Sequence, residues 1–155
     1  VVEKIALSKP DISFKLIIDG NVKLDTPGDG KLENVIYIIM GKEMQNAMIA
    51  VSSELNDIKV EGFIGRSDIV KSNRNYQNFF INGRYIKSPI IMKAIEEAFE
   101  PFMMQHKYPF TALHISMDTA MIDVNVHPTK AEVRFYDNNL IHKFVFYIFH
   151  LICFF

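Results

Sequence analysis

The sequence predicts a two-layer α/β (α+β) domain built on a mixed β-sheet with helices on one face. Two kinds of segment alternate along its 155 residues. Short runs in which apolar and polar residues alternate predict strands, and longer runs with apolar residues at helical spacing predict three helices between them. Apolar residues make up 49% and charged residues 23%, which is typical of one globular domain. The sequence contains no internal repeat or low-complexity tract.

The first forty residues predict a helix end, a hairpin and a complete helix. Residues 1–8 fit the tail of a helix, since Pro10 blocks its continuation. A strand then turns back at Gly20-Asn21. The next helix ends at Gly41. The alternating side chains of the strand are Phe14, Leu16 and Ile18, and the apolar face of the helix is Leu32, Val35, Ile36, Ile39 and Met40.

The middle of the chain predicts three strands and another helix. The strands are expected at 48–51, 58–64 and 76–81, and the polar stretch 66–75 predicts a mobile loop. Asn82-Gly83 predicts a tight hairpin turn. Ser88-Pro89 suits the N-cap and first position of a helix. The expected buried face of that helix is Ile91, Ala94, Ile95, Ala98 and Phe102.

The last third predicts more strands and a terminal helix. Residues 111–117 alternate and predict a half-buried strand, and 122–126 alternate likewise. After a break at Pro128, Asp137 suits the cap of a final helix. The most apolar stretch, 144–155, is too short for a bilayer, which requires about 20 residues.

The formal net charge of −1 conceals an uneven distribution. Between Lys59 and Lys93 there are seven basic and two acidic residues, a balance of +5, so the remainder carries −6. A local basic patch is what polyanion binding requires. The single cysteine, Cys153, excludes an internal disulfide. The sequence has no phosphate-binding loop, no dinucleotide fingerprint and no framed Ser or Cys nucleophile.

Two segments carry the candidate chemistry, Asn78-Phe79-Phe80-Ile81-Asn82-Gly83-Arg84-Tyr85-Ile86 and Asp123-Val124-Asn125-Val126-His127-Pro128-Thr129-Lys130-Ala131-Glu132-Val133-Arg134-Phe135. In the first segment, Arg84 follows a tight turn, where its planar guanidinium suits bidentate contact with a DNA phosphate; a plain surface arginine is the alternative. Arg74, Lys71 and Lys87 are the other candidate DNA contacts.

The second segment presents Lys130. Pro128 fixes one backbone angle and restricts His127 to extended geometry, which predicts a defined loop after Val126. A lysine on such a loop is a point charge suited to a terminal phosphate. Most lysines are simply exposed, so a solvated loop lysine is the plainer interpretation of these residues alone. Asp123, Asn125 and His127 share one strand face, but a mixed set without a second His or Cys favours a polar sheet face supporting the loop over a metal site.

Together, in this order and around a Ser-Pro helix, the two segments resemble the MutL type of DNA mismatch repair protein over nearly the whole chain. The resemblance implies a fragment. Residues 1–10 would end a linker helix from a missing GHKL-class ATPase domain, and 11–155 would be the transducer domain that follows it. It also implies the fold of the second domain of ribosomal small-subunit protein five, with a left-handed β-α-β crossover, against the usual preference.

The resemblance further implies roles for individual residues. Lys130 would contact the γ-phosphate of ATP bound in the preceding domain, with Asn125, His127 and Pro128 supporting its loop. ATP and Mg²⁺ would be held mainly by the missing domain, so this fragment alone is expected to be inactive. The implied partners are DNA, the ATPase domain, a second MutL copy and a mismatch-recognition protein, with no membrane. The implied location is the cytoplasm or nucleoid of a bacterium, or a eukaryotic nucleus.

Two other functions fit parts of the pattern. One is that of the corresponding domain of another GHKL protein, such as a type II topoisomerase or a heat-shock chaperone, which also contributes a lysine or arginine to ATP. The Asn-Val-His-Pro-Thr-Lys and Asn-Gly-Arg motifs argue against it. A plain nucleic-acid-binding module, in which Lys130 has no role, is the other alternative. An ATPase domain encoded upstream of Val1 would argue against the plain module.

Overall fold

A computed structural model describes residues 1–123 and 133–153. The helices are α1 (Val2–Ser8), α2 (Leu32–Met40), α3 (Lys42–Asn46), α4 (Pro89–Phe99) and α5 (Asn138–Cys153). The strands are β1 (Lys15–Ile18), β2 (Asn21–Asp25), β3 (Met48–Leu55), β4 (Ile58–Gly65), β5 (Val70–Lys71), β6 (Gln77–Ile81), β7 (Arg84–Ile86), β8 (Tyr108–Pro109), β9 (Thr111–Ser116), β10 (Ile122–Asp123) and β11 (Arg134–Phe135). None of the described helices combines the length and apolar character needed to cross a membrane.

The main sheet has five strands in the order β3-β4-β9-β6-β7. The β3–β4, β4–β9 and β6–β7 pairs are antiparallel, whereas β6 and β9 are parallel. The expected mixed sheet is therefore confirmed. The chain passes from β6 to β9 through β7 and α4, so the parallel pair is joined by a helical crossover. The left hand of that crossover stays a prediction.

Apolar clusters lie on both faces of this sheet. One cluster joins Phe79, Ile81 and Leu113 to the buried sides of α4 and α5. The other joins Phe80 and Ala112 to α1, α2 and α3. Because successive strand residues point to opposite faces, these neighbours separate the two clusters. The sequence analysis expected its three helices on one face of the sheet; instead α4 and α5 cover one face, and α2 lies with α1 on the other.

Strand β9 differs from its prediction because of this second layer. A half-buried strand was expected, yet Ala112 and Leu113 are both 0% exposed. The approach of β4 to β9 is correspondingly close at Gly62 (φ +141°). A Cβ at that position would lie 2.0 Å from the Ala112 carbonyl oxygen, so only glycine fits without a backbone shift.

Three helix boundaries follow the predicted signals. The Ile91 amide donates to Ser88 Oγ at 3.3 Å, and Pro89 occupies the first turn of α4. The Leu140 amide donates to Asp137 Oδ1 at 3.0 Å at the start of α5. Gly41 ends α2 with φ 90°. These caps satisfy backbone groups that a helix end leaves without partners.

Several details of the prediction are wrong. A bulge between Leu16 and Ile17 breaks the alternation of β1 and leaves Ile18 47% exposed. Phe102 is 38% exposed, because α4 ends at Phe99 and a 3-10 turn containing Pro101 follows. The five-residue α3 was not predicted, since it is too short to show helical periodicity.

The stretch 66–75 contains more structure than the expected loop. Its strand β5 pairs with β8, and a 3-10 turn runs from Arg74 to Tyr76. These pieces are too short to produce an apolar pattern, which explains why the sequence suggests only a polar loop.

Two neighbouring amides at the start of β6 differ in how well they are satisfied. Gln77 and Asn78 are 4% and 3% exposed. Asn78 Nδ2 donates to the Thr111 carbonyl at 3.1 Å, and Asn78 Oδ1 accepts from Lys4 Nζ at 2.8 Å. Neither side-chain polar atom of Gln77 finds a partner in the described residues. A buried polar group without a partner costs about 1–3 kcal/mol.

We expect Gln77→Met to raise the free energy of unfolding by about 1 kcal/mol, because it removes the unsatisfied amide and keeps the length of the side chain. The neighbouring Asn78→Leu should lower it by about 1–3 kcal/mol, since Lys4 and the Thr111 carbonyl would lose their partner. Urea denaturation of both variants checks the pair. A destabilised Gln77→Met variant would contradict the first expectation.

Candidate functional site

The four residues assigned to the ATP loop, namely Asn125, His127, Pro128 and Lys130, lie outside the described residues. The structure describes the two chain ends that flank them. Ile122 pairs with Phe135, and Asp123 pairs with Arg134, in the short antiparallel β10–β11 pair. Ile122 and Phe135 are each 6% exposed and belong to the α4–α5 cluster. We call these four residues the loop stem, and its apolar side is fixed in the core.

The loop stem is tied to the preceding turn by further backbone bonds. The Met121 amide donates to the Asp118 carbonyl at 3.0 Å, and the Tyr136 amide donates to the Met121 carbonyl at 3.2 Å. Asp118 Oδ1 also accepts from the Ala120 amide at 2.9 Å. The turn and both strands of the stem therefore form one hydrogen-bonded unit.

Within the described residues, no group of three or more His, Cys, Asp or Glu side chains could hold a metal ion. An open cavity of about 650 Å³ lies beside α4. Three glutamates, Glu96, Glu97 and Glu100, line it together with three basic residues, Arg74, Lys93 and Lys107, so its formal charges balance.

The cavity wall contains Arg74, a predicted DNA contact whose fork is already occupied. Its Nε donates to Glu96 Oε1 and its Nη2 donates to Glu96 Oε2 at 3.2 Å. The guanidinium also lies 4.5 Å from the centroid of the Tyr108 ring. Arg74 thus joins the 3-10 turn to α4, and a phosphate would have to compete with a bidentate carboxylate.

Lys71 and Lys4 each lie over a tyrosine ring that packs against the α1–α2 cluster. Lys71 Nζ lies 4.9 Å from the centroid of the Tyr76 ring. Lys4 Nζ lies 4.7 Å from the centroid of the Tyr85 ring. Burial lowers the pKa of Lys4, and the charge of Lys87 lowers this pKa further, which indicates that the two ammonium groups are close.

Arg84 begins the edge strand β7, and strand alternation places its side chain on the face of Ile86, opposite Tyr85. The preceding residue, Gly83, lies against Lys9, since a Cβ built there would be 2.9 Å from Lys9 Nζ. Arg84 and Lys87 are exposed and form no ion pair with any residue in the described ranges. The four predicted DNA contacts are therefore divided between two faces, with Lys4 and Lys9 adding charge at the β7 edge.

Lys4 and Lys9 are the residues that the sequence analysis missed. Both precede the basic segment 59–93, so a charge count along the chain does not include them. A helical signal in residues 1–8 was present, but no local pattern shows where α1 packs. Only the long-range contacts of α1 with β6 and β7 bring these charges to the edge.

His114 holds the other end of α1. Its Nε2 lies 3.0 Å from the Leu7 carbonyl oxygen, near the C-terminus of the helix, and its ring stacks on Phe80 at 4.8 Å between centroids. Burial lowers the pKa of His114 from its usual 6.5, and the charge of Lys9 lowers it further, although the Leu7 carbonyl and Glu61 oppose the shift. A neutral imidazole therefore joins α1 to β9.

This shift predicts a loss of stability in acid. The unfolded chain takes up a proton near pH 6.5, before the folded chain does, so the contribution of His114 is present above that pH and is lost as the pH falls through the lowered folded pKa. We expect the free energy of unfolding to fall less between about pH 7 and about pH 5 in His114→Gln than in the unmodified chain. Urea melts along a pH series measure both slopes, and equal slopes would contradict the assignment.

Comparison with known structures bears on the fold. The "Crystal Structure of N terminal domain of a DNA repair protein" matches with a TM-score of 0.80 and 18% identity, over 98% of this chain and 51% of that chain. The "Aquifex aeolicus MutL ATPase domain with K252N mutation" matches with a TM-score of 0.60 and 17% identity, over 96% of this chain and 48% of that chain. At these identities the likeness shows a shared fold.

Comparison of sequences bears on the family. The family model "DNA mismatch repair protein, C-terminal domain" matches residues 36–151. The "DNA mismatch repair protein MutL" of Agathobacter rectalis is 53% identical over 92% of this chain, and that of Clostridium tetani is 40% identical over 94%. The chain spans only 22% and 23% of the length of these two relatives. The family model and these relatives show that the chain belongs to the MutL family of DNA mismatch repair proteins.

Proposed function

We propose that this chain completes the ATP site of a GHKL-class ATPase domain in a longer mismatch repair protein, by supplying Lys130. The observation that carries the proposal is the loop stem. The second motif begins and ends in the β10–β11 pair, and Ile122 and Phe135 fix both ends of the motif in the core. A charge that must act at a fixed point in another domain needs such a rigid base.

In this proposal ATP is the substrate and Lys130 is the catalytic residue. The lysine ammonium would lie against the γ-phosphate and stabilise the negative charge that develops on its oxygens during hydrolysis. Asn125, His127 and Pro128 would support the lysine loop. Mg²⁺ and the remaining phosphate contacts would come from the ATPase domain. ATP-bound and ATP-free proteins would then differ in how the two domains are arranged.

We expect Lys130→Ala in the full-length protein to lower kcat for ATP hydrolysis by about 10²-fold, the loss typical of removing one donor that stabilises transition-state charge. Lys143→Ala is the matched control, because Lys143 is an exposed lysine on α5. Steady-state turnover, together with a thermal melt of each variant, provides the measurement. An unchanged kcat in a normally folded Lys130→Ala protein would mean that Lys130 does not act on the γ-phosphate and is an ordinary solvated lysine.

We also propose that the β7 edge contacts DNA through its phosphates. Arg84 and Lys87 are exposed there without ion-pair partners among the described residues, and Lys4 and Lys9 of α1 raise the positive charge beside them. Lys71 and Arg74 would contribute less, because Lys71 packs on Tyr76 and Arg74 is bound to Glu96. No recognition helix is present in the described residues, so contact with phosphates should dominate over base readout.

We expect weak, nearly sequence-independent binding of DNA by this surface, with Kd on the order of 10⁻⁴ to 10⁻⁶ M at physiological salt. Arg84→Glu and Lys87→Glu should each weaken binding to all sequences and reduce the slope of log K against log salt by about one unit. Lys143→Glu has a similar charge change on α5 and should alter neither quantity. A salt titration measures all four proteins, and an unchanged slope for Arg84→Glu would remove Arg84 from the interface.

The wider assembly follows from the same proposal. The preceding ATPase domain, a second copy of the full-length protein and a mismatch-recognition protein are the expected partners, in the cytoplasm or nucleoid of a bacterium or in a eukaryotic nucleus. Normal turnover in Lys130→Ala with DNA binding intact would instead favour a plain nucleic-acid-binding module. A role in another GHKL protein is disfavoured by the mismatch repair family of the chain.

A further inference from the structure

Asn82 connects the two sequence motifs. Its side chain forms a pair of bonds with the backbone of one residue at the end of β9. Asn82 Nδ2 donates to the Met117 carbonyl at 2.9 Å, and the Met117 amide donates to Asn82 Oδ1 at 3.1 Å. The Asn82 amide also donates to the Ile115 carbonyl at 2.9 Å. The amide side chain therefore continues the β6–β9 ladder beyond the last residue of β6.

We call this pair of hydrogen bonds between Asn82 and Met117 the clasp. The residues that follow Met117 lead directly to the loop stem. Met117 is 7% exposed and packs in the same apolar cluster as Ile122 and Phe135. Asp118 follows Met117 and begins the turn that is bonded to Met121, whose carbonyl accepts from Tyr136. From Asn82 to the stem, each step is either a hydrogen bond or one peptide bond between sequence neighbours.

The backbone conformation of the turn does not by itself explain why the Asn82 side chain bonds to Met117. Its φ of 48° and the φ of 82° at Gly83 are those of a tight hairpin turn, which asparagine tolerates. The β3–β4 hairpin provides a direct comparison, since Asn56 occupies the equivalent position with φ 49°. No side-chain hydrogen bond in the described part of the chain involves Asn56. The clasp to Met117 is thus a property of Asn82 and not of the turn.

We propose that Asn82 is a positioning residue for ATP hydrolysis, which acts by fixing the end of β9 and, through it, the loop stem. This inference rests on the proposed role of Lys130. It assigns a purpose to the Asn-Gly turn that is separate from the phosphate contact of Arg84. An error of about 1 Å in the placement of a catalytic group can cost about 10²-fold in rate, so a hydrogen-bonded clasp near the base of the loop has a direct kinetic consequence.

The test is Asn82→Gly in the full-length protein, with Asn56→Gly as the matched control. Glycine keeps the positive φ at both turns and removes only the side chain. We expect Asn82→Gly to lower kcat for ATP by about tenfold or more while KM stays unchanged, because ATP would be bound by the other domain. Asn56→Gly should retain kcat. Asn82→Asp removes the donor and keeps the acceptor, and it should lower kcat as well if the glycine variant fails to fold.

Hydrogen exchange supplies a readout that turnover does not. In Asn82→Gly, peptides that cover 117–123 and 133–136 should exchange faster than in the unmodified protein, and in Asn56→Gly they should not. Equal kcat in Asn82→Gly and Asn56→Gly, or unchanged exchange at 117–123, overturns the positioning role. If Lys130→Ala lowers kcat while Asn82→Gly does not, the proposed function stands and this inference fails. If Lys130→Ala leaves kcat unchanged, both fail.

Discussion

The burial of β9 on both faces is the constraint on which the other contacts depend. Ala112 and Leu113 point in opposite directions and both are fully buried, so neither face of the sheet can be left to solvent. The α4–α5 layer covers one face, and α1 with α2 covers the other. The strand also pairs on both edges, parallel to β6 and antiparallel to β4, where Gly62 permits close approach. A small change in β9 is therefore transmitted to both layers.

Helix α1 shows how the second layer is fastened. Seven residues are too few for an isolated helix to be stable in water, so its structure depends on tertiary contacts. Burial of Leu7 supplies an apolar contribution of about 1.5–3 kcal/mol, and the charge-assisted bond from Lys4 to Asn78 adds about 1.5–3 kcal/mol. His114 holds the far end. The Lys4–Asn78 bond joins α1 to β6, and the His114–Leu7 contact joins it to β9. A displacement of α1 would therefore disturb the parallel β6–β9 pair first.

The sequence predicts local features well and long-range ones poorly. The mixed sheet, the cap at Ser88 and the turn at Asn82 each follow from signals within a few residues, and the family resemblance rests on such motifs. The second helical layer, the bulge after Leu16 and the occupied fork of Arg74 depend on residues far apart in the chain. Alternation of apolar and polar residues predicts a strand with one exposed and one buried face. It therefore cannot describe β9, which is buried on both faces. A charge count has the same limit, since it includes Arg74 and omits Lys4.

The hairpin from β6 to β7 lies at the meeting point of both proposed activities. Its turn residue Asn82 bonds to Met117 and so reaches the loop stem, while Arg84, at the start of β7, and Lys87, just after its end, are exposed to solvent. Phosphates bound at this edge would neutralise charges that repel one another, among them the pair formed by Lys87 and Lys4. Lower repulsion favours a tighter packing of α1 on β7. If DNA binds here and Lys130 acts on ATP, coupling between the two ligands requires no long pathway, because a few residues of one turn separate the contacts that serve each of them.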